Sequence, residues 1–251
     1  MVTAYGVTHP GHVRKVNEDN CLSDPELGLF VVADGMGGHN AGEVASELAV
    51  ETVATFMRRT HEGDDVTWPY GIDKRLSFHA NRLLTAIRLA NRRVFRAAEN
   101  RDELSGMGTT VVAAFVEAGH LVFAGVGDSR IYSYANGTLT QLTTDDSWVA
   151  TLQNTGAIST AKHPMRHVLT NVVGARENVE LQVDERALGD GEVLLFCSDG
   201  LHGEISDERI AGILAGGGDA KTTAEALLAA VLEGRAGDNV TALVVRYHAE
   251  S

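Results

Sequence analysis

Cysteine occurs only twice in 251 residues, at Cys21 and Cys197, and proline only four times. Two thiols cannot staple a chain of this length, so a disulfide-built secreted scaffold is excluded. Cys197 falls inside the apolar run VLLFCSD and is expected to be a buried strand thiol. No stretch is rich enough in Pro, Gly or Ser to divide the chain, and GGG at 216–218 is too short to do so. No internal repeat is visible either. Apolar runs such as TTVVAAFV are strand length, far below the ~20 residues of a membrane span. No N-terminal signal pattern is present. These absences lead us to expect one domain over residues 1–251, monomeric and cytoplasmic.

Positive charge is also scarce. Lys and Arg total 21 against 34 Asp and Glu, giving a net charge of −13. That balance argues against nucleic acid as a partner and against insertion into or adhesion to a membrane, which need basic patches. Ten histidines are present, but no HExxH zinc motif.

What the chain does have is aspartate at the ends of apolar runs. Asp34 lies in LFVVADGMGGH, Asp199 in VLLFCSDGL and Asp238 in RAGDNVTALVV. An apolar run closed by Asp-Gly reads as a buried strand whose end carries a carboxylate. Three such ends, distant in sequence, converge if their strands lie side by side. Oxygen-rich acid clusters suit Mg²⁺ or Mn²⁺ rather than Zn²⁺. Two such ions sharing a carboxylate would place between them a water able to attack phosphorus. Gly35, in the flexible GMGG, allows a backbone carbonyl to approach an ion as well. Arg14, four residues before Glu18, is a suitable bidentate clamp for phosphate, with Glu18 and Asp19 near metal-bound water. Asp128, in AGVGDSR, either binds a further metal or pairs with Arg130. Gly108, Thr109 and Thr110 are expected to serve packing and hydrogen bonding.

The periodicities predict strands at 2–8 and 28–34, helices at 42–59 and about 77–100, and a surface loop at 61–73. The arginines of the second helix read as a solvated face. A run of short strands follows, with Asn136-Gly137 as a hairpin turn. Residues 145–170 break that rhythm. Two more strands, two helices capped by Ser206 and Asp219, and a last strand complete the chain. Strands and helices are segregated rather than alternating, which excludes a Rossmann-like parallel sheet. The pattern points to an α+β fold, two antiparallel sheets covered by helix pairs.

RKVNED (14–19), VADGMGGH (32–39), GMGTT (106–110), GDSR (127–130), CSDGL (197–201) and GDNVT (237–241) occur in the order found in PPM-type protein phosphatases. The chain thus resembles the type 2C family of metal-dependent serine/threonine phosphatases, in its bacterial form, over nearly its whole length. The resemblance implies a four-layer α-β-β-α sandwich that hydrolyses phosphoserine and phosphothreonine in proteins, opposing bacterial Ser/Thr kinases. It implies two core Mn²⁺ or Mg²⁺ ions, bridged by Asp34, bound also by the Gly35 carbonyl and completed by Asp199 and Asp238. Asp128 and Asp199 would hold a third, weaker ion. Arg14 would bind the substrate phosphate, Glu18 and Asp19 would contact metal waters, and 145–170 would be a flap. Met36 stands where animal members carry a histidine proposed as general acid, leaving that role to water or a neighbouring His, with His39, His163 and His167 near the site segments. His167 replaces a flap hydroxyl of some bacterial relatives. Two alternatives use the same residues: a phosphatase dedicated to one regulatory phosphoprotein, of the anti-sigma-antagonist type, and a binding-only relative. The second class loses metal acids, whereas Asp34, Asp199 and Asp238 are all present here.

Overall fold

The structure, a computed structural model, describes residues 1–38, 41–61, 67–148 and 168–249. Most of the expected flap, with His163 and His167, and also His39, lie outside the described residues.

Two antiparallel sheets form the centre. The first has the order β1-β11-β10-β7-β8, from β1 (Val2–His9), β11 (Val240–Tyr247), β10 (Val193–Cys197), β7 (Arg130–Ala135) and β8 (Thr138–Gln141). The second has the order β2-β3-β5-β6-β9, from β2 (Asp19–Asp24), β3 (Leu29–Met36), β5 (Val111–Glu117), β6 (His120–Val126) and β9 (Val183–Ala187). A short β4 (Gly108–Thr109) pairs with the end of β3. Helices α1 (Ala41–His61) and α2 (Phe78–Asn100) cover the second sheet. Helices α3 (Asp199–His202), α4 (Asp207–Ala215) and α5 (Ala220–Leu232) follow β10, and the first sheet's outer face packs on them.

The four layers follow from strands that are apolar on both faces. In β3, Leu29, Val31 and Ala33 face the helices, while Phe30 and Val32 face the other sheet. In β10, Leu195 and Cys197 turn to the helices, while Leu194 and Phe196 turn inward. Phe30 and Phe196 meet across the sandwich with ring centroids 6.2 Å apart. Helix ends are closed as their sequences suggest. Ser77 Oγ accepts from Ala80 N at 3.1 Å and Asp219 Oδ1 from Thr222 N at 2.7 Å. Asn136 and Gly137 both have positive φ, 52° and 78°, as a two-residue hairpin requires.

Three details depart from the sequence reading. Strand β2 falls between the predicted strands at 2–8 and 28–34, where the periodicities predict no element; DNCLSD has no apolar run, and it becomes a strand by pairing with β3. β3 runs on to Met36, so Asp34 lies within a strand rather than at its end. Arg82 of α2 does not share the solvated face. It is fully buried, donates to Met57 O at 2.6 Å and Thr60 Oγ1 at 2.8 Å, and stacks over Phe115. A cation there satisfies carbonyls near the C-terminus of α1.

Because Phe196 fills the space between the sheets, Phe196→Ala is expected to cost about 3–5 kcal/mol, read as a lower urea midpoint with an unchanged slope.

Candidate metal centre

Pairing of β2 with β3 sets Asp19 directly opposite Asp34. Like charges so placed oppose the pairing, yet the backbone around them is tightly held. Asp34 N donates to Thr110 Oγ1 at 3.0 Å, while Asp34 O accepts from Thr110 N at 2.8 Å and Thr109 Oγ1 at 2.9 Å. Thr110 Oγ1 in turn meets Ser129 Oγ at 2.7 Å. GMGTT and GDSR therefore brace the strand that carries Asp34, as expected for Thr109 and Thr110.

Asp19 ties the two sheets together. Its Oδ2 accepts from Ser198 Oγ and Thr241 Oγ1, both at 2.7 Å, at the ends of β10 and β11. Its Oδ1 is buried with no hydrogen-bond partner. A buried carboxylate oxygen without a donor is costly, and a hard cation or its water would satisfy it. Asp199 opens α3 directly after β10, and Asp238 stands two residues before β11. Asp128 follows Gly127, the residue after β6, whose φ of 94° turns the chain. Among the described residues no three of these acids close into a compact metal cage. They do interact electrostatically, and every donor is oxygen, so the set fits a hard divalent ion that would draw them together.

Close backbone approach brings the loops to this point. A side chain at Gly35 would collide with the Gly42 carbonyl, and one at Gly200 with that of Asn239. The Glu18 carboxylate lies against Gly42 at the start of α1, where the backbone N–H favours an anion. Arg14 Nη2 donates to Asp238 Oδ2 at 2.8 Å, with both groups about half exposed.

Crowding shows in the proton affinities. Burial raises the Asp34 carboxyl well above its usual range, with Asp19, Asp199, Asp128 and Asp238 adding to it. Burial lifts Asp19 to about 6 against its two hydroxyl donors. Burial and then Asp199 lift Asp128 to about 7. Arg130 does not pair with Asp128. It forms a two-pronged pair with Asp145 at 2.9 and 2.8 Å. Asp128 instead is held through its carbonyl, 2.9 Å from His202 Nε2. Burial, then Arg130, lower His202 to about 4, so at neutral pH it is uncharged.

The chain matches the protein phosphatase 2C family over residues 9–233. It belongs to that family. It is 34% identical over 248 residues to the serine/threonine phosphatase stp of Listeria welshimeri, covering 95% of this chain and 93% of that protein. It is 36% identical over 237 residues to PstP of Mycobacterium tuberculosis, spanning 93% of this chain and 43% of that longer protein. The crystal structure of PstP superposes with a TM-score of 0.85 at 33% identity, covering 98% of this chain and 99% of that one. The PstP catalytic domain in complex with two manganese ions gives 0.82 at 33% identity, covering 98% and 97%. The chain is a metal-dependent serine/threonine phosphoprotein phosphatase, and the likeness implies a divalent metal cofactor. No helix among the described residues is long and apolar enough to cross a membrane.

The sequence points to candidate acids for this phosphatase but not to their supports. Asn239 accepts from Glu18 N at 2.8 Å and donates to Pro10 O at 3.1 Å and Val16 O at 2.9 Å, stapling the Arg14 loop. Ser198 and Thr241 were equally silent. Ser198 stands beside Asp199 and Thr241 three residues after Asp238, but only the fold points their hydroxyls at Asp19.

Acids whose pKa values are raised by folding stabilise the protein while protonated. That contribution is complete below the ordinary 3.8 and is lost as pH rises through about 6 for Asp19 and about 7 for Asp128. In EDTA the melting temperature is therefore expected to fall across this window, and added Mn²⁺ to cancel the fall near pH 7. Melting temperatures that climb over the same range in EDTA would contradict the crowding.

Proposed function

We propose that Asp34, the Gly35 carbonyl, Asp199 and Asp238 hold two divalent ions, Mn²⁺ or Mg²⁺, with Asp128 and Asp199 holding a third. Arg14, Glu18 and Asp19 act beside them on phosphate and water. The observation that carries this reading is the placement of Asp19 opposite Asp34, with Asp19 Oδ1 buried and without a partner. Bound ions supply Lewis acidity, ionising water near neutral pH and neutralising phosphoryl charge.

The chain's own groups do the rest. Arg14 takes the phosphate dianion on its guanidinium fork, exchanging its contact with Asp238 for one with substrate. Asp238 is then free to face a cation. Asp19 Oδ1 and the Glu18 carboxylate orient water by accepting its protons, Asp19 fixed by Ser198 and Thr241, Glu18 by Gly42 N–H. His202, beside Asp128, is held neutral with its Nε2 on a carbonyl and is a poor proton donor. The departing serine or threonine oxygen therefore takes its proton from water or from a histidine other than His202.

The wider reading is one phosphatase domain over 1–251, cytoplasmic and monomeric, with 145–170 as its flap. The base of that segment supports the assignment. Asp146 Oδ2 accepts from Gly127 N at 3.2 Å and Asn171 Nδ2 at 2.8 Å, joining both ends of the segment to the turn that bears Asp128. Substrates would be phosphoserine and phosphothreonine proteins, in keeping with the names of the relatives, and would include Ser/Thr kinases and their targets.

Phosphate release from a phosphothreonine peptide, with a phosphotyrosine control, tests the reading. Release should need Mn²⁺, stop with EDTA and be absent for phosphotyrosine. Asp34→Asn and Asp238→Asn should each lower kcat about a thousandfold; full metal-dependent turnover in either would sink the assignment. Arg14→Ala should raise KM roughly tenfold, with folding unchanged by circular dichroism.

A further inference from the structure

On a chain of net charge −13, one face of the helical layer is basic. A groove of about 510 Å³ runs between α1 and α2, rimmed by Arg59, Arg92, Arg93 and Arg96. Phe56 and Leu89, each half-buried, lie in it, and no carboxylate lines it among the described residues. The ion pair at this rim is Arg93 with Glu51 at 3.1 Å, about half exposed. Arg92 and Arg96 stand four residues apart on α2, a like-charge spacing that costs helix stability. Several surface cations elsewhere do have acid partners: Arg58 with Asp24, Arg75 with Asp73, Lys221 with Glu225. Arg93 joins α2 to α1 through Glu51 and Thr52 Oγ1, but Arg92 and Arg96 make no ion pair among the described residues, so the packing of the helices does not explain them.

We propose that this groove docks an acidic segment with an apolar anchor, carried by phosphoprotein substrates away from the phosphorylated residue; this rests on the catalytic centre proposed above. Guanidinium forks take carboxylates in pairs, and a leucine-sized side chain fills the space over Phe56 and Leu89. The rest of the acidic surface repels such a segment, which confines it to this face. An anionic membrane would meet the same repulsion and would not enter a concave groove. Helix α1 begins at the catalytic centre, where Gly42 meets Glu18. Phe56 and Arg59 lie some fifteen residues further along it, roughly 20–25 Å away at 1.5 Å per residue. A docked segment would thus hold its phosphosite near the acids through a short tether, raising its effective concentration.

The test uses a folded phosphothreonine reporter with and without a helical Glu/Leu segment on a flexible linker of about 16 residues, which spans roughly 20–25 Å. Turnover is measured with Mn²⁺ for the unaltered chain and for Arg92→Glu/Arg96→Glu, beside p-nitrophenyl phosphate. The segment should raise kcat/KM about tenfold through KM. The double variant and ~0.5 M salt should erase that gain, with p-nitrophenyl phosphate turnover unchanged in the variant. Equal kcat/KM for both reporters, or a gain that survives the double substitution, overturns docking. Capture on phosphatidylserine vesicles lost in the variant, without a reporter gain, overturns it in favour of a lipid surface. Failure to hydrolyse p-nitrophenyl phosphate would instead strike the catalytic reading. Anisotropy of the fluorescent segment then decides the groove by itself, with binding abolished by Arg92→Glu/Arg96→Glu as the supporting result and equal binding as the overturning one.

Discussion

Carboxylates forced together at one end of the sandwich are the constraint around which the rest of the structure is arranged. Asp19 and Asp34 face each other across adjacent strands, and Asp128, Asp199 and Asp238 add their fields. Left to themselves such groups would separate or bind protons. They stay because each is attached to something that cannot move without loss: a strand buried on both faces, a hydroxyl pair from the opposite sheet, or a turn closed by glycine. The energy that crowds the acids is supplied by the apolar core, and a divalent cation recovers part of it on binding.

The supports divide by which atom they hold. Thr109 and Thr110 hold the backbone of Asp34, leaving its side chain available. Ser198 and Thr241 hold one oxygen of Asp19 and leave the other bare. Asn239 holds the loop that carries Arg14 and Glu18 by three of its bonds at once. Each device orients an anion without neutralising it, which is what a site meant for cations requires.

Charge also organises the molecule at longer range. Asp19, Asp34, Asp128, Asp199 and Asp238 crowd the proposed metal centre, whereas arginines of α1 and α2 gather along the outer face of the helical layer. One of that helix's arginines, Arg82, is spent inside, satisfying the end of α1. The others face outward over an apolar floor. An acidic phosphoprotein approaching this enzyme thus meets one surface that attracts it and a site whose attraction depends on bound metal.

Much was legible in the chain because apolar runs and caps are local signals. The buried strands at 28–34 and 193–197, the helices capped at Ser206 and Asp219, and the Asn136-Gly137 turn all follow from short-range pattern. So did the acids, since aspartate closing an apolar run is unusual and its repetition informative. Strand β2 was not legible, because DNCLSD has no apolar run and becomes a strand only by hydrogen bonding to β3. Nor were the partners of Arg130 and Asp19. A guanidinium two residues from Asp128 chose Asp145 instead, since strand alternation and the β7–β8 hairpin bring that carboxylate to its fork. The sequence alone determined which residues carry charge and which segments must be buried. Only the tertiary structure decided which charges meet, because hydrogen bonds and ion pairs between segments more than two hundred residues apart depend on how the two sheets stack.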